Sequence, residues 1–135
     1  MEQRTVNTQL ILLRGLPGSG KSTFARLLVN VSREEIVHYE ADMYFQKDKY
    51  CFDASKLSDA HQWCLQATSN MLEAGVSVIV SNTFTRLMEL QPYLNLAKRY
   101  NVPVTVLHVE GNHGSIHNVP EQTMHKMAAR WESYQ

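Results

Sequence analysis

Apolar and polar positions follow two different patterns along this chain. Short aliphatic runs predict four buried strands, at residues 9–13, 36–39, 76–80 and 102–109. Between these runs, apolar residues recur at every third or fourth position, which is the spacing of one helix face. Strands that alternate with helices are typical of a parallel sheet covered by helices.

The helical spacing predicts four helices, which begin after Gly20, at Leu57, after Arg86 and at Pro120. The first should bury one face made of Phe24, Leu27, Leu28 and Val31. Gly75 should end the second helix, since glycine commonly follows a helix C-terminus. Pro92 is expected in the first turn of the third helix, because proline is poorly tolerated deeper.

These elements predict a doubly wound α/β fold. Its parallel sheet should have about four strands with helices on both faces, and its ligand at the carboxyl ends of the strands. A length of 135 residues suits one compact domain, so residues 1–135 are expected to form a single domain.

The loop after the first strand carries the most specific chemistry. Residues 15–22 read G-L-P-G-S-G-K-S, which fits the Walker A pattern G-x-x-x-x-G-K-[ST]. In such a loop, backbone N–H groups surround phosphate oxygens, Lys21 reaches the β- and γ-phosphates, and Ser22 can bind Mg²⁺. The predicted ligands are therefore ATP and Mg²⁺. The predicted cofactor-binding residues are Gly15, Pro17, Gly18, Ser19, Gly20, Lys21, Ser22 and Thr23.

Composition and charge narrow the function classes. The chain has 13 basic and 13 acidic residues, which argues against a protein that coats duplex nucleic acid. Cys51 and Cys64 form no disulfide or metal pattern, and the polar N-terminus lacks a signal-peptide segment. No apolar run is long enough to span a bilayer. A cytoplasmic protein without a membrane partner is expected.

Two P-loop classes fit poorly. A GTPase would need a base-reading N-K-x-D motif, and the sequence contains none. An AAA+ machine would need a second helical domain, for which this length leaves no room. A small kinase fits better, and it would need a general base, groups that hold the acceptor and a lid over the phosphates.

Several sequence blocks now support a family resemblance. They are GLPGSGKSTFARLL, EADMYF, AHQWC, VIVSNTFTR, PYLNLA and HNVPEQTMHKMAARWE. Together they resemble the small P-loop kinase-like family related to the kinase domain of polynucleotide kinase. The same pattern occurs in zeta-toxin-like and NEDD4-binding-protein-2-like proteins. The resemblance extends from about residue 9 to residue 133 and keeps the order of the blocks.

The resemblance implies roles for residues after the second and third strands. Asp42 matches the aspartate that acts as base, or orients the acceptor hydroxyl; together with Lys21 it forms the predicted catalytic pair. Glu40, two residues earlier, is a weaker candidate. Asn82, Thr83 and Arg86 match the segment that often reads D-N-T-N and begins the acceptor site. Ser81 stands where an acidic residue often assists Mg²⁺, so metal positioning should depend on Ser22, water and Asp42.

The loop 111–119 corresponds to the lid of these kinases. Polynucleotide kinases usually place an arginine there, but this loop offers only His113 and His117 as cations. A metal site on these two histidines would need further ligands. The resemblance therefore leaves two functions open. One is a kinase acting on a hydroxyl of a nucleic-acid 5′ end, nucleotide or small metabolite. The other is a non-catalytic or slowly hydrolysing ATP-binding module that signals to a protein partner.

Overall fold

The computed structural model describes residues 7–46, 52–111 and 119–134. Its strands are β1 (Leu10–Arg14), β2 (Ile36–Tyr39), β3 (Ser77–Asn82) and β4 (Val104–His108). Its α-helices are α1 (Lys21–Val31), α2 (Leu57–Glu73), α3 (Leu87–Arg99) and α4 (Glu121–Ala129). Short 3-10 helices cover Ala41–Phe45 and Ala54–Lys56. Predicted strands and helices are all present, with ends that differ by a few residues.

The strands form one parallel sheet in the order β2-β3-β1-β4. Alternate residues of β1 face opposite sides of this sheet, as the pleat requires. Leu10 and Leu12 pack against α2 and α3, whereas Leu13 packs with Ala25 of α1 on the other face. The predicted α/β fold with helices on both faces is confirmed. Each of these fully buried leucines contributes roughly 1.5–3 kcal/mol of burial free energy.

Two local predictions were wrong, the first of them in part. In α1, Phe24 and Leu28 pack against a buried cluster as expected, but Leu27 and Val31 are 54% and 67% exposed, and Ala25 is the fully buried residue. Ala25 shares this cluster with Leu13 and Ile79, so a small side chain of α1 packs on this face of the sheet. In α3, Pro92 lies beyond the first turn. There it cannot donate a backbone hydrogen bond to the carbonyl of Met88.

The structure also defines where α2 and β3 end. Gly75 ends α2 at φ +82, and the N–H of Val76 donates to the carbonyl of Met71 at 2.9 Å, a Schellman arrangement. Strand β3 extends through Ser81 and Asn82, two residues beyond its predicted end. Their side chains therefore lie at fixed positions of the sheet rather than in a loop. No helix in the described ranges is long and apolar enough to cross a membrane.

Candidate functional site

The glycine loop runs from the end of β1 to the start of α1 and lies tightly against its neighbours. The N–H of Gly15 donates to the carbonyl of Thr83 at 3.2 Å. A Cβ atom on Gly15 would stand 2.5 Å from the carbonyl oxygen of Val109 and 2.6 Å from Ser19 Oγ. Both distances are shorter than van der Waals contact, so the first glycine of the motif is required by close packing.

The other two glycines are required by backbone conformation. Gly18 and Gly20 have φ values of 82 and 101, which side chains with a Cβ rarely adopt. Gly20 directly precedes α1, whose first N–H groups have no partner within the helix. Such a helix N-terminus favours anions. The predicted cofactor-binding residues 15–23 thus form one continuous loop and helix turn, with Thr23 exposed at its outer side.

Lys21 lies between the loop and two carboxylates. Its Nζ donates to the carbonyl of Leu16 at 3.1 Å. Burial lowers the pKa of Lys21 to about 8, while the charges of Glu40 and Asp42 oppose this shift. The ammonium and both carboxylates therefore lie within electrostatic reach of one another, at the end of the glycine loop.

Glu40 is the centre of a hydrogen-bonded group that we call the Glu40 network: Ser22, His38, Glu40 and Ser81. Glu40 Oε2 accepts hydrogen bonds from Ser22 Oγ and from Ser81 Oγ, the latter at 2.8 Å. His38 Nε2 lies 2.6 Å from Ser81 Oγ and 3.4 Å from Glu40 Oε2. Burial raises the pKa of Glu40, but hydrogen bonds from His38, Ser22 and Ser81 outweigh it and lower this pKa to about 2.

The donor atoms around Ser22 fit Mg²⁺. Hydroxyl and carboxylate oxygens are its preferred protein ligands, and a nucleotide-bound Mg²⁺ needs only one or two of them. Within residues 7–46, 52–111 and 119–134, no group of three or more His, Cys, Asp or Glu side chains could hold a metal by itself. This arrangement suits a cation that arrives with a triphosphate, held by Ser22 and a carboxylate.

The structure places the predicted acceptor-side residues in different environments. Asp42 is half-buried in the short helix Ala41–Phe45, directly after β2. Asn82 is only 8% exposed, and its Oδ1 accepts a hydrogen bond from the N–H of Ala41 at 2.9 Å. Asn82 thereby fixes the turn that carries Asp42. Thr83 contacts Gly15 through its carbonyl, as described above, and Arg86 is exposed at the start of α3.

Of the predicted lid, only Gly111 and Val119 belong to the described residues. His113 and His117 lie outside them. The catalytic, acceptor-binding and lid roles of all these residues stay predictions.

A second cluster surrounds a buried arginine on the face of the sheet that α2 and α3 cover. We call it the Arg14 clasp: Arg14, Phe84, Thr85, Trp131 and Glu132. Arg14 is 1% exposed, and its guanidinium donates to the carbonyls of Phe84, Thr85 and Glu132 at 2.6–3.3 Å. Trp131 stacks on this guanidinium at 4.1 Å and on the ring of His108 at 4.4 Å. The clasp joins the chain after α4 to the loop after β3.

Sequence reasoning missed most of this clasp and gave Glu40 only a minor role. Arg14 directly follows the aliphatic run 9–13, and a charged residue there signals a specific partner, because arginine is almost never fully buried unless it is paired. Phe84 has φ 47, in the left-handed region that a bulky residue rarely adopts. Arg14 holds the Phe84 carbonyl, and Phe84 packs edge-on against Tyr93 at 5.5 Å. These contacts compensate for the unfavourable backbone conformation.

Comparison with known proteins identifies the family to which this chain belongs. Residues 10–117 match the model of a family described as "AAA domain" (AAA_33). The chain therefore belongs to this family of P-loop kinase-like domains.

Two relatives are much longer proteins, and the chain matches only a small part of each. The chain is 34% identical over 100 residues to human NEDD4-binding protein 2, which covers 73% of this chain and 6% of that protein. It is 32% identical over 93 residues to a protein of Acanthamoeba polyphaga mimivirus named "Putative bifunctional polynucleotide phosphatase/kinase", covering 69% of this chain and 18% of that protein. The likeness thus concerns one segment of each relative.

Solved structures agree on the fold. Kti12 from Chaetomium thermophilum, in complex with ADP-AlF3, matches with a TM-score of 0.74 at 19% identity, over 93% of this chain and 81% of that chain. The APS kinase CysC of Mycobacterium tuberculosis matches with a TM-score of 0.62 at 10% identity, over 93% and 98% of the two chains. At such identities the likeness supports a kinase-like fold and nothing finer.

Proposed function

We propose that this chain binds ATP with Mg²⁺ on residues 15–23 and transfers the γ-phosphate to an acceptor hydroxyl. The observation that carries the proposal is the convergence of Lys21, Ser22, Glu40 and Asp42 at the end of the glycine loop. One cation, one hydroxyl and two carboxylates are the groups that phosphoryl transfer needs for charge stabilisation, metal binding and proton acceptance.

In the proposed reaction, the acceptor oxygen forms a bond to the γ-phosphorus. The bond from this phosphorus to the β,γ-bridging oxygen breaks, and ADP leaves with that electron pair. Asp42 accepts the hydroxyl proton, Lys21 binds the β- and γ-phosphate oxygens, and the N–H groups of the loop bind the remaining charge. Mg²⁺, when bound through Ser22, neutralises phosphate charge.

The proposed acceptors are a nucleic-acid 5′ end, a nucleotide or a small metabolite. The viral relative is named as a polynucleotide phosphatase/kinase, which supports the first of these. We assign Asn82, Thr83 and Arg86 to the acceptor side, where the exposed Arg86 can bind a phosphate and the buried Asn82 acts by positioning the Asp42 turn. His113 and His117 are proposed to supply charge from the lid.

A second candidate function is an ATP-binding module that transfers no phosphate, or hydrolyses ATP slowly, and presents its nucleotide state to a protein partner. Two sequence features favour it: serine rather than an acid at position 81, and a loop 111–119 without arginine. The human relative is named for binding a protein, which is consistent with such a module.

One experiment separates these functions. Purified protein is incubated with γ-labelled ATP, Mg²⁺ and a panel of 5′-hydroxyl oligonucleotides, nucleosides and cell metabolites, while released phosphate is counted in parallel. Label on an acceptor supports the kinase, and ATP binding without label transfer supports the module. Failure to bind Mg·ATP at all, measured by calorimetry on folded protein, would refute both.

A further inference from the structure

The Glu40 network indicates which carboxylate of this chain can assist Mg²⁺. In P-loop proteins, Mg²⁺ is held by the loop Ser or Thr together with an acidic residue from a neighbouring strand. The end of β3 is next to the loop in this sheet, but residue 81 there is a serine that is 2% exposed. Its hydroxyl donates to Glu40 Oε2 at 2.8 Å. A carboxylate therefore reaches the end of β3 from the adjacent strand.

The strand register explains how Glu40 reaches this place. Tyr39 of β2 is paired with Val80 of β3 in parallel register, so the next residues, Glu40 and Ser81, lie side by side. Strand β3 lies between β2 and β1, and the glycine loop follows β1. Glu40 extends across the small side chain of Ser81 and accepts the hydrogen bond from Ser22 Oγ. A larger residue at position 81 would occupy this path.

We propose that Glu40 is the carboxylate that positions Mg²⁺ in this chain, with Ser81 holding it in place by a hydrogen bond. This proposal rests on the proposed binding of a Mg·nucleotide at residues 15–23. It replaces the expectation that Asp42 serves the metal, and it leaves Asp42 available to accept the acceptor proton. In this chain, the carboxylate that would otherwise come from the residue at the end of β3 comes from the residue after β2.

The charge of Glu40 predicts a signature that a purely structural residue would not give. Without a divalent cation, its carboxylate repels a triphosphate; with Mg²⁺ bound, the same carboxylate favours the metal complex. Glu40→Gln should therefore tighten metal-free nucleotide binding and weaken binding in the presence of Mg²⁺. A general loss of structure would weaken both.

The test is calorimetric titration of the full chain with the non-hydrolysable β,γ-imido analogue of ATP, once with excess Mg²⁺ and once with EDTA. The measured quantity is the dissociation constant in EDTA divided by the dissociation constant with Mg²⁺, so a larger ratio means that Mg²⁺ helps binding more. For Glu40→Gln we expect this ratio to fall on the order of 10- to 100-fold, the usual effect of losing a group that orients a metal ligand. Glu73→Gln, an exposed carboxylate at the far end of α2, is the matched control and should leave the ratio unchanged.

An exchange of positions sharpens the test. In the double variant Glu40→Gln with Ser81→Asp, the acid returns to the end of β3, and we expect most of the Mg²⁺ dependence to return. Ser81→Asp alone places two carboxylates side by side and should lower stability. If Glu40→Gln does not fold, Glu40→Asp keeps the charge but shortens its reach, and it should lower the ratio by a smaller factor.

The outcomes separate this proposal from the proposed function. If the wild type binds the analogue more tightly with Mg²⁺ and the folded Glu40 variants keep the wild-type ratio, Glu40 does not position the metal, while nucleotide binding stands. If the wild type binds no analogue under either condition, the proposed function itself is wrong. A lowered ratio that Ser81→Asp restores supports the proposal.

Discussion

The Glu40 network and the Arg14 clasp both bury a charged side chain near the strand ends, but they satisfy it in different ways. The Arg14 guanidinium donates to three backbone carbonyls and is covered by Trp131. Glu40 accepts from two side-chain hydroxyls, and its side chain keeps 16% exposure. The backbone carbonyls that bind Arg14 can move away from it only if their loop unfolds. The serine hydroxyls that bind Glu40 can rotate away by a change of side-chain torsion.

This difference separates a structural charge from a charge that can serve a ligand. A buried guanidinium that donates to three carbonyls holds the loop after β3, which includes the carbonyl of Thr83 that accepts from Gly15. A carboxylate bound by serine hydroxyls can exchange one of them for a cation. We therefore expect substitutions in the clasp to change stability and substitutions around the glycine loop to change function.

The largest effect is expected for Asp42→Asn. If the chain is a kinase, this change should lower phosphate transfer by about 10²–10⁴-fold, because the amide cannot accept the hydroxyl proton. Affinity for Mg·ATP should stay close to that of the wild type, since Lys21 and Ser22 are unchanged. Transfer is measured with γ-labelled ATP and binding by calorimetry. A variant that transfers phosphate as fast as an active wild type would show that Asp42 is only structural.

Arg14→Met should cause the largest loss of stability, about 3 kcal/mol, because buried carbonyls lose their charged donor. The measurement is the urea dependence of unfolding, followed by circular dichroism. Arg14→Lys is the control: it keeps the charge but cannot donate to three carbonyls in the same geometry, so it should recover only part of the loss. An unchanged urea midpoint for Arg14→Met would show that the Arg14 clasp does not stabilise the fold, and the proposed difference between the two regions would be wrong.

Lys21→Ala should weaken Mg·ATP binding by about 10- to 100-fold, the usual value of one charged hydrogen bond to phosphate. Its free energy of unfolding should not fall, since within the described residues the side chain donates one hydrogen bond, to the carbonyl of Leu16, and is buried at a cost to its charge. Calorimetric titration and urea unfolding are measured on the same preparation. Wild-type affinity in the folded variant would remove the nucleotide site from residues 15–23.

The smallest effect is expected for Glu132→Ala. Glu132 Oε1 accepts a hydrogen bond from the N–H of Leu87 at 2.7 Å, at the first residue of α3. Loss of such a cap should destabilise the fold by about 1 kcal/mol without changing nucleotide affinity. Glu73→Ala, which removes an exposed carboxylate at the end of α2, is the control for stability. If Glu132→Ala weakened Mg·ATP binding instead, the clasp would belong to the functional site.

The sequence predicted those parts of the fold whose cause is local. The glycine loop is recognisable because Gly18 and Gly20 meet a backbone requirement within a motif of eight residues, whereas the need for Gly15 also comes from the distant carbonyl of Val109. The strands and helices follow from apolar spacing in the same way. The buried face of α1 was predicted less well, because this helix has apolar residues on several sides and their spacing alone does not say which of them meet the sheet.

The sequence by itself determined the class of fold and the phosphate-binding loop, since both depend on neighbouring residues. The tertiary structure decided which acid serves Ser22 and which residues fasten the loop after β3. Glu40 is 18 positions from Ser22 and 41 from Ser81, and Arg14 is 118 positions from Glu132. Such contacts depend on strand register and on the order β2-β3-β1-β4, and no local pattern encodes either.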